Sequence, residues 1–462
     1  MKVLLVLPRT KPNTNPPLGL TYIAAILRKN GVEVEILDPT FEGAEYALKR
    51  LSQIDYDLLG IGTYTMNFNL GLEWARFVKA RKKDIPVLFG GVHPTILFQE
   101  VIQNKEIDFV VIGEGEETTL ELWRALKGLR PLEAVRGLVF KRNGEVMINP
   151  PRPLIEPLDS LVFPARDLLP MNKYLRASFG RSAWAVRQPS TSIVTSRGCP
   201  FHCTHCSSHL IFGHKTRYRS VKNIVDEIET IIEKYQIQGL SIVDDTFILS
   251  KKHIYELAEE MKKRKIKIEF ICNGRVDIID KDILKLLKDI GCVGIAFGVE
   301  SGSQPILDHR LKKGITLEQV RKAFDLAYEA GIPTDAYFMI GIPGETEKDI
   351  RETIRFSKTL RASAANFAIT IPMPKTELHE MALKCGTLTA KTWNDYDYTG
   401  RPIFQSLDLD GATLIRLRKK AIFSFYFSLS FLLNQTLSIR SFYDVKKKWR
   451  GFFMLLKVIF KL

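Results

Sequence analysis

The 462-residue sequence predicts an α/β protein with two sheets. A doubly wound, Rossmann-like parallel sheet comes first, a partial (β/α)6 barrel second, and a mostly helical region last. Three observations predict this. Short apolar runs alternate with amphipathic segments in two separate series. A proline-rich connector, residues 150–170, parts the two series. Beyond residue 400 the pattern turns aromatic and basic and loses strand character. The expected divisions are 1–135, 136–189, 190–400 and 401–462.

In the first series KVLLVL, VEVEILD, DLLGIGTYT, PVLFGGV and DFVVIGEG read as strands. LGLTYIAAILRKNG, AEYALKRLSQ, LGLEWARFVKARKK, TILFQEVIQN and ETTLELWRAL read as the helices that follow them. Short, mainly apolar strands joined by helices imply a parallel sheet covered on both faces. GLVFKRNGEVMIN reads as a hairpin turning at Asn143-Gly144. The second series offers STSIVTS, GLSIVDD, IEFICNG, VGIAFGV, DAYFMIG and ANFAITI as strands, with helices such as VKNIVDEIETIIEKY between them. Six units make a barrel two short of the full eight, and chemistry in such barrels sits at the carboxyl ends of the strands.

The composition narrows the class. Lys and Arg number 67 against 52 Asp and Glu, and the excess is concentrated in residues 412–462. The opening MKVLLVLP breaks at Pro8, too early for a secretory segment. AIFSFYFSLSFLL is shorter than the roughly 20 residues a membrane-spanning helix needs. A cytoplasmic protein is expected, its tail either packed on the barrel or peripheral to an anionic membrane surface. Nucleic acid is not an expected partner, because no recognition module accompanies the charge.

Six cysteines in so long a chain do not suggest a disulfide framework. Three stand in SRGCPFHCTHCSSH, where Cys199, Cys203 and Cys206 form a C-x3-C-x2-C run just past the first strand of the second series. Structural zinc could take the three thiolates with His205 or His209. A 4Fe-4S cluster could take them and leave one iron without a protein ligand. The triplet by itself leaves both open.

Later motifs recur in order at the strand ends: SIVDDTF, CNGRVD, FGVESG and FMIGIPGETEKDI. Together with the cysteine run they resemble the radical S-adenosylmethionine (SAM) superfamily. PPLGLTYIAAILRKNGVEVEILD, FGGVHPT and VVIGEGEET extend the likeness to the subgroup with an N-terminal cobalamin-binding domain, which includes anaerobic magnesium-protoporphyrin ester cyclases and C-methylases. The resemblance implies a 4Fe-4S cluster on Cys199, Cys203 and Cys206, with SAM on the open iron. One electron then cleaves SAM to a 5′-deoxyadenosyl radical. It further implies that Asp244 meets the methionine ammonium, that Arg275, beside Asn273, pairs with the carboxylate, and that Glu300 and Ser301 hold the ribose. Gly341 would let the backbone approach the adenine. Against these stand a turn cap for Asp244, a salt bridge for Arg275 and structural hydrogen bonds for Glu300 and Ser301. Lys375 stands where the family's PGTEL segment has glycine, which puts that turn in question. Cys272 and Cys292 read as core, and Cys385 is unassigned.

In the first domain the resemblance implies cobalamin. Thr63, Tyr64, Gly91, His93, Gly113 and Glu114 occupy the loops at the strands' carboxyl edge, fit to meet a corrinoid's amides. The chain lacks the D-x-H-x-x-G signature that gives cobalt a histidine, so His93 is expected at the periphery or in a structural role. The implied function is cobalamin-dependent methylation of an unactivated carbon. The alternatives are a radical reaction without methyl transfer and a non-catalytic metal or corrinoid sensor. Expected partners are a small-molecule or lipid-like substrate and an electron donor such as flavodoxin or ferredoxin.

Overall fold

The structure, a computed structural model, describes residues 1–9, 15–177, 186–397, 400–406 and 409–437. Its first sheet comprises β1 (Val3–Val6), β2 (Val34–Leu37), β3 (Leu58–Gly62), β4 (Val87–Gly90), β5 (Phe109–Val111), β6 (Leu138–Arg142) and β7 (Glu145–Ile148). The spatial order is β2-β1-β3-β4-β5-β6-β7. The first five strands run parallel. The hairpin expected beyond the first domain joins this sheet, with β6 antiparallel to β5 and β7 to β6.

Alternation along β1 explains why the sheet is covered twice. Val3 and Leu5 join Leu27 and Leu120 in one core, while Leu4 and Val6 join Trp74 and Phe89 in the other. Each such side chain contributes roughly 1.5–3 kcal/mol by leaving water. Strand order reverses between β1 and β3, so a crevice opens at their carboxyl ends.

The second sheet comprises β8 (Ser190–Ile193), β11 (Gly239–Ile242), β12 (Glu269–Gly274), β13 (Cys292–Glu300), β14 (Thr334–Ile340) and β15 (Ala364–Ile369), all parallel and in that spatial order. A short antiparallel ribbon, β9 (Ser196–Arg197) with β10 (Arg217–Tyr218), follows β8. The sheet does not close: β8 and β15 are its edges. Ser220, Ser250, Asp280, Thr316 and Thr346 each cap the next helix by accepting a backbone N–H three residues on. The helix Gly411–Tyr426 covers the β15 edge. Tyr426 bonds both the N–H and the C=O of Ala365, and Arg418 Nε donates to Phe367 O at 2.8 Å. An edge strand's exposed groups are thereby paired.

The connector is anchored to both domains. Leu158, Leu161 and Ala165 enter the first domain's core. Arg166 Nη1 meets Glu227 Oε1 at 2.6 Å, and its Nη2 donates to Ser192 O at 3.0 Å. The expected membrane contact of the tail falls largely on residues 438–462, which lie outside the described residues. Among the described residues no helix is long and apolar enough to cross a membrane.

Candidate active site

The cysteine loop leaves β8 at the mouth of the open barrel. Gly198 has φ +87°, and a Cβ there would lie 2.4 Å from Lys215 O, so only glycine lets the loop pass its own return strand. Cys203 is buried, while Cys199 and Cys206 are partly exposed. Cys199 Sγ lies 3.8 Å from Thr246 Oγ1, and Cys206 Sγ accepts from Ser208 N at 3.5 Å. Burial pushes the Cys206 thiol up to about 11; the Ser208 N–H opposes this, and the charges of Asp245, Cys203 and Cys199 add to it. Three thiols in one field need a cationic partner before all can ionise.

Among the described residues no three His, Cys, Asp or Glu side chains form a ready-made site for a metal ion. Cys199, Cys203 and Cys206 share one loop, and three thiolates are a donor set for an iron-sulfur cluster. Three of the nearby histidines stack on one another. His202 and His209 stack on His214, with ring centroids 4.0 and 4.8 Å apart. His205 Nδ1 is sealed without a partner, and burial holds its ring neutral, with a pKa of about 4, against the pull of Glu300.

Several expected SAM contacts are occupied by the chain itself. Asp244, 2% exposed, accepts from Thr195 N at 2.7 Å, Thr195 Oγ1 at 2.5 Å and Ser196 Oγ at 2.6 Å, bracing the root of the cysteine loop. Its neighbour Asp245 is exposed and accepts from Ser208 Oγ at 2.6 Å, on the cysteine side. Arg275 forks onto Asp277 at 3.0 and 3.1 Å, donates to Lys313 O at 3.0 Å, and lies over the Phe201 ring at 3.4 Å. Ser301, fully buried, faces Thr353 Oγ1 at 3.2 Å. Gly341, at φ +83°, begins a turn whose N–H groups, with that of Ile342, donate to Glu345 Oε2 at 2.7 and 3.0 Å.

Two expected groups face outward or carry a charge into the mouth. Asn273 is exposed, with Nδ2 donating to Asp244 O at 3.1 Å. Glu300 ends β13 at φ +67°, where the β13–β14 register shifts, and meets Lys313 Nζ at 2.9 Å. Burial raises the Lys313 cost of charging, but Glu300 and Cys203 more than offset it and keep the ammonium on. Lys313 was not expected from sequence. Its signal was a basic pair in the loop after a barrel strand, LKKG, which is indistinguishable from a solvated run until the loop is folded. Lys375 adopts φ +62°, so the turn keeps the left-handed residue although the glycine is gone.

At the first domain's carboxyl edge, Gly91 has φ +99° and would press a Cβ to 2.8 Å from Thr63 O. Thr63 Oγ1 and His93 Nδ1 are buried without partners. Tyr64 is 53% exposed, and Gly113, φ +76°, has open space where a side chain would be. Orphaned polar atoms beside open backbone fit a corrinoid's amide fringe. His93, 1% exposed, is sandwiched between Phe68 and Trp393, with centroids 4.4 and 4.9 Å away. Glu114 points instead to the barrel. It meets Arg197 Nη1 at 2.7 Å and Arg217 Nη1 at 2.9 Å, and these cations override burial to hold its carboxyl below the usual range. The partners of Glu114 and His93 come from distant parts of the chain, and no local motif marks them.

Residues 193–357 match the radical SAM superfamily, and residues 6–122 match the B12 binding domain family. The chain belongs to the radical SAM superfamily and carries a B12 binding domain ahead of it. An uncharacterized methyltransferase of Pyrococcus horikoshii is 35% identical, with 98% of each chain covered. The cytidylyl-2-hydroxyethylphosphonate methyltransferase of Streptomyces wedmorensis is 27% identical over 83% of this chain and 82% of its own. The fold matches that of the radical SAM methyltransferase TsrM from Kitasatospora setae, solved with cobalamin and a 4Fe-4S cluster. The TM-score is 0.76 at 20% identity, covering 100% of this chain and 98% of that one. The cofactors of these two families are a 4Fe-4S cluster with SAM, and cobalamin.

Proposed function

We propose that the chain is a cobalamin-dependent radical SAM methyltransferase acting on an unactivated carbon of a small molecule. One observation carries this reading. The helix Val92–Ile96, at the corrinoid edge, packs against the helix His209–Phe212, which begins three residues after Cys206. A corrinoid at that edge and a cluster in that loop would face one reaction space. When bound, the cluster and SAM supply a carbon-centred radical and the corrinoid supplies a methyl group.

The chain's own residues divide the work. Cys199, Cys203 and Cys206 hold the cluster as thiolates. Lys313 offers a fixed cation beside Cys203, and with Glu300 and Asn273 it presents polar groups to SAM. Asp244, Arg275, Ser301 and Gly341 shape the loops around them. Thr63, Tyr64 and Gly113 meet the corrinoid, and His93 backs that edge with an uncharged ring. A one-electron donor of the flavodoxin or ferredoxin kind completes the scheme. Exposed Phe423, Phe427, Leu429 and Leu433, near exposed Lys419 and Lys420, support contact with a membrane surface and an apolar substrate.

Anaerobic reconstitution tests the reading. The protein should take up iron and sulfide and release 5′-deoxyadenosine from SAM under reduction, and Cys203→Ala should lose both. Absence of either in the parent protein would sink the enzyme reading. Release of 5′-deoxyadenosine without a methylated product on the true substrate would leave a radical reaction of another kind.

A further inference from the structure

We propose that Glu114 and Arg217 are positioning residues: with Arg197, Glu116 and the Ile155 backbone they form a buried clasp that sets the cysteine loop against the B12 binding domain. The inference rests on the proposed function for its consequence, but its geometry stands apart from it.

The clasp starts where β5 ends. Gly113 turns the chain into the helix Gly115–Leu126, leaving Glu114 at its N-cap and Glu116 in its first turn. A carboxylate there could cap the helix, yet Glu114 makes no capping bond. Both its oxygens are spent elsewhere. Oε1 accepts from Arg197 Nη1 at 2.7 Å, and Oε2 accepts from Arg217 Nη1 at 2.9 Å and Ile155 N at 2.7 Å. Arg197 Nη2 reaches Glu116 Oε1 at 2.6 Å, and Arg217 Nη1 also donates to Ile155 O at 2.7 Å. First domain, connector and barrel therefore meet at one carboxylate.

The barrel side of the clasp is two residues from the first cysteine of the candidate cluster site. Arg197 and Arg217 are cross-strand partners in the β9–β10 ribbon, and Arg197 is followed by Gly198 and Cys199. Gly198 packs against Lys215 O with no room for a side chain, so the cysteine loop follows Arg197 as one piece, keeping its own shape while its place relative to the first domain changes. The side chains are almost dry: Glu114 and Arg217 are each 2% exposed, Glu116 5% and Arg197 10%. Two carboxylates balance two guanidinium groups. An apolar contact of similar area would hold the domains together as well or better, but would not fix their register. Planar, directional, charge-assisted bonds do fix it. Removing one member leaves an uncompensated buried charge, which favours opening of the interface.

The test uses the full chain. Glu114→Gln keeps the shape and removes the charge. Hydrogen exchange on the protein without cofactors should rise together at residues 112–117 and 196–198, while β11 to β13 stay unchanged. After reconstitution, iron content and 5′-deoxyadenosine release should remain within about twofold of the parent. With cob(II)alamin bound and the cluster reduced, pulsed EPR should give one narrow cobalt-to-cluster distance in the parent and a broad one in the variant. The double variant Glu114→Gln/Arg217→Gln should exchange less than the sum of the singles. Exchange confined to the first domain, or an unchanged narrow distance, would overturn the proposal. If the parent releases no 5′-deoxyadenosine, the functional reading fails, and hydrogen exchange still decides the clasp.

Discussion

Asp244→Ala separates a bracing role from a ligand role at the barrel mouth. The carboxylate, 2% exposed, accepts three bonds from Thr195 and Ser196, four and three residues before Cys199. Two of the donors are hydroxyls that can rotate to other partners; the Thr195 N–H cannot. Burial raises the Asp244 carboxyl above its ordinary range against the pull of the Ser196 and Thr195 bonds, so each bond is counted as an ordinary one. Losing the Thr195 N–H bond, at about 0.5–1.5 kcal/mol, and stranding that buried donor, at about 1–3 kcal/mol, gives an expected loss for Asp244→Ala of about 2–4 kcal/mol. Asp244→Asn retains one acceptor oxygen and should lose about 1–2 kcal/mol. Urea unfolding of the protein without cofactors, followed by far-ultraviolet circular dichroism, measures both. Iron per chain after reconstitution should fall in the same order, because the loop's root is what loosens. The reasoning is refuted if Asp244→Ala unfolds within about 0.5 kcal/mol of the parent and loads iron fully, yet no longer binds SAM. Asp244 would then be a ligand for the methionine ammonium.

Two further outcomes follow from buried ionisable groups. Burial holds His93 at about 4 against 6.5 when unfolded, so the folded state refuses a proton that the unfolded state accepts. That stability is present above 6.5 and lost as pH falls toward 4, by up to roughly 3 kcal/mol. His93→Phe should remove this part of the slope in a comparison of unfolding free energies from pH 7 to 4.5; equal slopes would refute it. Glu345 runs the other way: burial raises its carboxyl to about 8 from an ordinary 4.5, so between these values the unfolded chain releases a proton that the folded chain keeps, and stability falls across that window and levels off above 8. Glu345→Gln should therefore stabilise the protein more at pH 8.5 than at pH 6, by about 2–3 kcal/mol. A gain that does not depend on pH would contradict this.

Local spacing and periodicity carried most of what could be read from the chain. Apolar runs of strand length between amphipathic helices determined two parallel sheets, because each strand must bury both faces. The C-x3-C-x2-C run marked the loop that follows β8, and the rule that ligands sit at carboxyl ends of strands drew attention to Asn273, Glu300, Thr63 and Gly113, which the fold does put at those ends. Tertiary structure decided which side chains at those edges are free. Asp244 turns to Thr195, Arg275 closes on Asp277 two residues away, and Glu114 finds Arg197 and Arg217, 83 and 103 residues on. It also drew Trp393 over His93 and brought Lys313 to Glu300. The reason is physical. A strand's burial is repeated along many residues and survives small errors of position, whereas a buried carboxylate chooses its partner by fractions of an ångström, and only the packed chain sets those.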